Sequence, residues 1–315
     1  MDNRIAAAQL ATVLLALVVL LLWLEQRAQR RLRFASASAA RVGSGEARPV
    51  RLCGRRAALA WLLCLLPVLL GFVLPVGFML RPLSADWSVL PWDRFLGWAW
   101  SSVRLGGMTA LLALGVAWLL AFSLRRQPTL PRRGAVQLIS LGYAVPGAVV
   151  VVGLLLPVGW LQARWPDSGA GAVVTATVLG LLWAYLVRFV SVALQSVQSG
   201  YARVSRSLDE SARLLGASGL ELALRVHWPL LRRAGLAAAL LVFVDVMKEL
   251  PATIVLRPFD TDTLAVVANQ LARDERLGEA ALPSLALVLV GLVPVILLSR
   301  TLRAERRASD EAARV

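Results

Sequence analysis

The chain is poor in the side chains on which most enzyme chemistry depends. Its 315 residues include one lysine, Lys248, one histidine, His227, two cysteines and three tyrosines. A phosphate-cradling Walker A loop ends in Gly-Lys-Ser or Gly-Lys-Thr, whereas Lys248 stands between Met247 and Glu249. No such cradle exists, and the chain is not expected to hydrolyse ATP itself. A single histidine rules out an HExxH zinc site. His227 lies beside Trp228 at the entry to an apolar run, reads as an interfacial residue, and leaves no Ser/His/Asp constellation to assemble. Cys53 and Cys64 fall in a basic linker and an apolar run, without metal-ligand spacing and unsuited to a disulfide. No catalytic residue, resident cofactor or metal-ligand set can be assigned, and no short-period repeat or low-complexity tract interrupts the chain.

Apolar sequence is abundant instead. Hydrophobic residues make up 58% of the chain, and several runs exceed the ~20 residues that cross a bilayer. The fold class is therefore all-α: a polytopic membrane helical bundle of about seven transmembrane helices. The expected spans are Ile5–Leu24, Ala57–Leu80, Phe95–Leu124, Ala135–Trp160, Gly169–Val197, Leu230–Leu256 and Ala280–Leu298. Tyr143-Ala144-Val145-Pro146-Gly147 predicts a break inside the fourth. A polar, acidic-leaning loop is expected over Arg257–Glu279. The first apolar run is too long for a cleaved signal peptide and has only Arg4 as a basic lead-in. This divides the chain into residues 1–56, a span plus basic linker; 57–300, the main transmembrane domain; and 301–315, a charged cytosolic tail.

Acidic residues number 19 against 34 basic ones, a net charge of +15. On a soluble protein that excess would point to nucleic acid; beside so many spans, its placement matters more. Segments 25–56, 125–134, 199–233 and 300–315 hold twenty-four arginines, and the opposite set of connections holds seven. The positive-inside rule then puts the N-terminus outside and the C-terminus in the cytosol. Arg104, Arg188, Asp245, Lys248 and Glu249 fall within expected spans, where charges face a bundle interior or a wet cavity. Asp245 and Lys248, three apart, are expected to neutralise each other, and Glu249 to meet Arg188. These four either tie helices together or line a translocation path; Arg104 reads as a snorkelling residue.

A polar island, Ser207 to Pro229, separates two of the apolar runs. Ser207 and Glu210 have capping-box spacing, and so do Ser218 and Glu221. Leu208, Ala212, Leu215, Gly219 and Leu222 recur at helical spacing, with Gly216 at the natural place for a left-handed turn. Pro229 suits the first turn of the next helix. The reading is helix, glycine turn, helix, span, on the cytosolic side.

Glu210, Ser211, Ala212, Gly216, Val226 and Pro229 resemble the EAA signature of ABC-transporter permeases, with Ser211, Val226 and Trp228 departing from the usual residue types. In that family the loop is a coupling helix that docks on a cytoplasmic ATP-binding subunit. Lys248-Glu249-Leu250-Pro251-Ala252-Thr253, with Leu256-Arg257-Pro258-Phe259 and Asp262-Thr263-Leu264-Ala265, is similar to the iron(III)-type permeases of binding-protein-dependent importers. The resemblance covers roughly residues 57–300. It implies a permease subunit fed by a periplasmic substrate-binding protein, with ATP on the partner subunit and no nucleic-acid role. Thiamine, polyamine and sulfate permeases share the coupling signature and remain alternatives. It also implies a second permease half, either a homodimer mate or a fused preceding half of which residues 1–56 are the last span. A secondary transporter driven by an ion gradient through Asp245 and Glu249 is the rival of another class; a membrane-embedded carboxylate enzyme has too few, too scattered polar residues.

Overall fold

The computed structural model describes residues 52–312 except 86 and 89, with isolated positions between 9 and 27; side chains are described up to residue 299, except 298. Among the described residues every regular element is helical. The chain divides into two compact units, Met1–Trp87 and Ser88–Val315. Of the first expected span only scattered positions are described, all helical and exposed.

In the first unit, α1 (Arg55–Ala85) is apolar on every side and buries none of its residues. Leu69–Val73 is a π-helical stretch within it. It lies immediately before Pro75, whose ring and missing N–H disturb the regular ladder one turn earlier. A helix apolar all round is a membrane span or an interior one.

The second unit is built on α2 (Trp92–Arg126), α6 (Val178–Ala202) and α8 (Gly219–Met247), which pack mutually. Small residues on α2, Gly106, Ala110, Ala113, Ala117 and Ala121, recur at helical spacing and are buried. Such a stripe lets helices approach closely where apolar burial gives no drive in lipid. At one end α6 and α8 come closest: a Cβ on Gly200 would lie 2.7 Å from the Ala234 Cβ. Tyr185, Phe189, Leu105 and Leu194 fill the centre.

Among the described residues, five helices are long and apolar enough to cross a membrane: α1, α2, α4 (Gly147–Arg164), α6 and Leu277–Leu297 of α11 (Leu277–Ala312). The expected sixth span is the 20-residue segment Trp228–Met247 of α8, about 30 Å long, with Arg232, Arg233 and Asp245 along it.

Three expected spans are interrupted. The fourth becomes α3 (Leu130–Ser140) and α4, joined through the 3-10 turn Gly142–Ala144. The fifth begins as a separate turn, α5 (Ala170–Thr175), and α6 starts anew behind the Thr177 cap, whose hydroxyl accepts from Leu179 N. α5 can lie against α6 because Gly180 presents no Cβ to the Val174 carbonyl. The sixth ends at Met247, and α9 (Pro251–Leu256) is separate, its first residue Pro251 bringing no N–H to continue the ladder. The expected loop Arg257–Glu279 contains a helix, α10 (Leu264–Arg273), capped by Thr263 and paired with α11. The tail expected to fray beyond Arg300 continues α11 to Ala312.

Candidate functional site

The polar island folds as α7 (Arg206–Leu214), a glycine turn, and the start of α8: Gly219–Glu221, a π-helical Leu222–His227, then Trp228–Met247. Gly216 has φ +85°. Its N–H bonds the Arg213 carbonyl at 2.9 Å, and Ala217 N bonds the Ala212 carbonyl at 3.0 Å. This Schellman pair satisfies the last carbonyls of α7 and needs a left-handed residue at its centre. Ser218 and Glu221 form both bonds of the capping box, at 2.9 and 3.2 Å. Those bonds to Ser218, and then Arg225, hold the Glu221 carboxyl below the usual carboxylate range.

One expectation fails locally. α7 starts after Ser205, whose side chain makes no capping bond, and no box forms between Ser207 and Glu210. Pro229 stands in the first turn of the α-helical Trp228–Met247, as expected, with the π-helical turn running directly into it. That wider turn relieves the carbonyl a proline ring would otherwise strike. Of the residues at helical spacing, Leu208 and Leu215 are exposed, Ala212 half-buried and Leu222 buried; Leu215 and its neighbour Leu214 are each 89% exposed. The only buried residue of α7 is Asp209.

Asp209 is the keystone of a polar cluster. Arg125, near the end of α2, donates to it through Nε at 2.7 Å and Nη2 at 3.1 Å. The same guanidinium bonds the carbonyls of Tyr201, Val204 and Ser205, closing over the end of α6. His227, 1% exposed, reaches the Asp209 carboxylate through Nε2 at 2.9 Å, and its Nδ1 meets the Tyr201 hydroxyl at 3.2 Å. A carboxylate only accepts, so Nε2 carries a proton and Nδ1 can take the phenol's. Burial alone would raise the Asp209 carboxyl, but the bonds from Arg125 and His227 outweigh it and hold it below the ordinary range. The island is thereby tied to α2, α6 and α8 together.

A second polar junction lies where two broken spans meet the middle of α6. Arg188 of α6 pairs with Glu249, both largely buried. Glu249 Oε1 also accepts from Ala252 N at 3.2 Å, so the carboxylate caps α9. Thr253 bonds the Glu249 carbonyl at 2.6 Å and the Tyr185 hydroxyl at 2.6 Å. A Cβ on Gly147, at the start of α4, would stand 2.5 Å from Glu249 Oε1. Arg188 Nε is buried without an acceptor. Beside this junction, Lys248 bonds Asp245 at 2.8 Å, with the lysine side chain 64% exposed.

No family model matches the chain. The PhnV permease assigned to 2-aminoethylphosphonate transport in Salmonella paratyphi A is 27% identical over 228 residues, 72% of this chain and 81% of that protein. The maltose/maltodextrin permease MalG of Vibrio parahaemolyticus is 26% identical over 206 residues, 65% of this chain and 67% of that one. The Fe(3+)-transport permease FbpB 2 of Haemophilus influenzae is 25% identical over 233 residues, 74% of this chain but 43% of its own length. Its relatives are permeases of ABC importers. The fold agrees. A bacterial alginate ABC transporter, solved with its alginate-loaded periplasmic protein, superposes with a TM-score of 0.59 at 14% identity, over 76% of this chain and 92% of that one.

Against the permease fold, the expected residues divide clearly. Glu210 and Ser211 are exposed, Ala212 and Val226 half-buried, Gly216 at the turn and Pro229 exposed on α8. Arg188 does meet Glu249, and Asp245 does meet Lys248. Arg125, Asp209 and the buried role of His227 were not singled out by sequence. Their separations along the chain are 84 and 18 residues, and no periodicity marks them. One signal was there: a charged residue on the inward side of an island whose leucines face out.

Proposed function

We propose that the chain is the permease subunit of an ATP-driven importer of the bacterial inner membrane, with ATP bound and hydrolysed by a separate cytoplasmic subunit. The observation that carries this is the island: a protruding helix with Leu214 and Leu215 exposed, locked to three packed helices through Asp209. Exposed leucines at a helix end fit an apolar groove on a partner, and the lock turns a push on α7 into movement of α2, α6 and α8. Glu210 and Ser211 complete the docking face, which lies on the arginine-rich, cytosolic side. A second permease half, fused or separate, supplies the other coupling helix, and a periplasmic binding protein delivers the substrate, as the alginate transporter's does. Arg188, Asp245, Lys248 and Glu249 line or gate the path, since charged groups at helix breaks within a membrane mark such routes.

The substrate we favour is iron(III), supported by the Lys248–Thr253 motif and the likeness to FbpB 2. A second reading, a phosphonate, is favoured by the longer match to PhnV. The test is ATPase activity of the reconstituted complex with its binding protein, challenged in turn with iron(III), 2-aminoethylphosphonate, thiamine, polyamine, sulfate and maltose. Vanadate-sensitive uptake supports the reading. Uptake abolished by an uncoupler and untouched by vanadate assigns the chain to gradient-driven transport instead.

A further inference from the structure

A cleft of about 520 Å³ opens between the end of α2, the start of α3 and the end of α6. Its wall is apolar, formed by Ala121, Leu124, Ala202 and the ring side of Tyr201. Arg133 and Arg206 stand at its rim, both exposed and neither in an ion pair among the described residues. Arg125 lies behind them, but its guanidinium is taken up by Asp209 and three carbonyls. No carboxylate lines the cleft, and the nearby Asp209 is held by Arg125 and His227. Its position adds a second constraint. Arg126 and Ala202 are the last residues of two membrane-spanning helices, so the cleft straddles the boundary between hydrocarbon and water.

We propose that this cleft binds an anionic glycerophospholipid, its phosphate between Arg133 and Arg206 and the first part of an acyl chain along Leu124 and Ala202. The volume lies in the range of small-ligand sites, and a free phosphate would leave the apolar wall unused. Two unpaired guanidiniums at headgroup depth select a net negative lipid over a zwitterionic one. The lipid bridges α3 to the start of α7 beside the Asp209 lock, which gives bilayer composition a hold on the coupling island. The inference goes beyond the transport reading and needs only that the helices span a membrane.

The test is native mass spectrometry of the full-length chain exchanged from detergent with phosphatidylglycerol or phosphatidylcholine at equal concentration. We expect one phosphatidylglycerol to be retained, with binding weakened on the order of tenfold or more in Arg133→Gln/Arg206→Gln. Arg232→Gln/Arg233→Gln, which removes the same charge from the exposed side of α8, should keep the lipid. Equal retention of both lipids, or equal loss in both double variants, overturns the proposal. Displacement of the lipid by soluble glycerol phosphate would show a phosphate site rather than a lipid site and also overturns it. Should the rim variant not fold, a photoreactive phosphatidylglycerol decides: labelling at Leu124 or Ala202 supports the site, and labelling only elsewhere refutes it. Failure of iron or phosphonate transport leaves each of these readouts unchanged.

Discussion

Replacing Asp209 by alanine removes the one group that both Arg125 and His227 share. Breaking a buried ion pair by deleting one partner costs about 3–5 kcal/mol, because the survivor stays buried without its counter-charge. Here the loss is tempered, since Arg125 keeps its bonds to the carbonyls of Tyr201, Val204 and Ser205. His227 is not so helped: its Nε2–H loses its acceptor at 1% exposure, a penalty of about 1–3 kcal/mol. An overall destabilisation of the docked island by about 3 kcal/mol is expected, or roughly a hundredfold more of the released form. Trypsin reports this directly, as Arg206 and Arg213 flank the keystone and are cut only when α7 opens. Cleavage there should quicken by on the order of a hundredfold under conditions where opening is fast relative to cutting. ATPase activity of the complex should become independent of substrate while the spans stay inserted. Asp209→Glu should recover part of both effects, and a double-mutant cycle with His227→Ala should show strong coupling. Cleavage and coupling at wild-type levels in Asp209→Ala would sink the idea that this cluster holds the island.

The same carboxylate predicts acid sensitivity. Its folded pKa is depressed, so its stabilisation is complete above the ordinary carboxylate pKa of about 3.9 and is lost as pH falls through the lower folded value. Pepsin cleavage of the island should rise across that acid window in the wild type and show no such step in Asp209→Asn. Gly216→Val forces a β-branched residue to φ +85°, at about 1–2 kcal/mol or more, and should abolish association with the ATPase subunit while membrane insertion is normal, as pull-down and fractionation would show. At the broken-helix junction, Gly147→Val should lower membrane abundance by driving a side chain into Glu249, whereas Lys248→Met, at an exposed pair worth about 0–1 kcal/mol, should leave abundance near wild type and lower uptake; the reverse order of abundance on an immunoblot would dismiss this account. Glu221→Cys, in a background without Cys53 and Cys64, should resist an impermeant thiol reagent in intact cells and react in inverted vesicles.

Local chemistry was legible in the chain. Gly216, the Ser218–Glu221 capping box and the break at Tyr143–Gly147 each act within a few residues, so their consequences can be read in order. The run lengths alone established a membrane bundle. Even the pairing of Arg188 with Glu249 followed from elimination, because a buried charge needs a partner and few were available. Tertiary structure decided which side of the island faces in. Helical periodicity marked an apolar set on α7 but not which residue faces in; that is set by the Arg125 guanidinium, which joins Asp209 to the carbonyls at the end of α6. Against that cation a carboxylate is the residue that fits, and the leucines are left outward. His227 followed the same logic, drawn from an expected interfacial position into full burial by Asp209 and Tyr201, which stand 18 and 26 residues away in the chain.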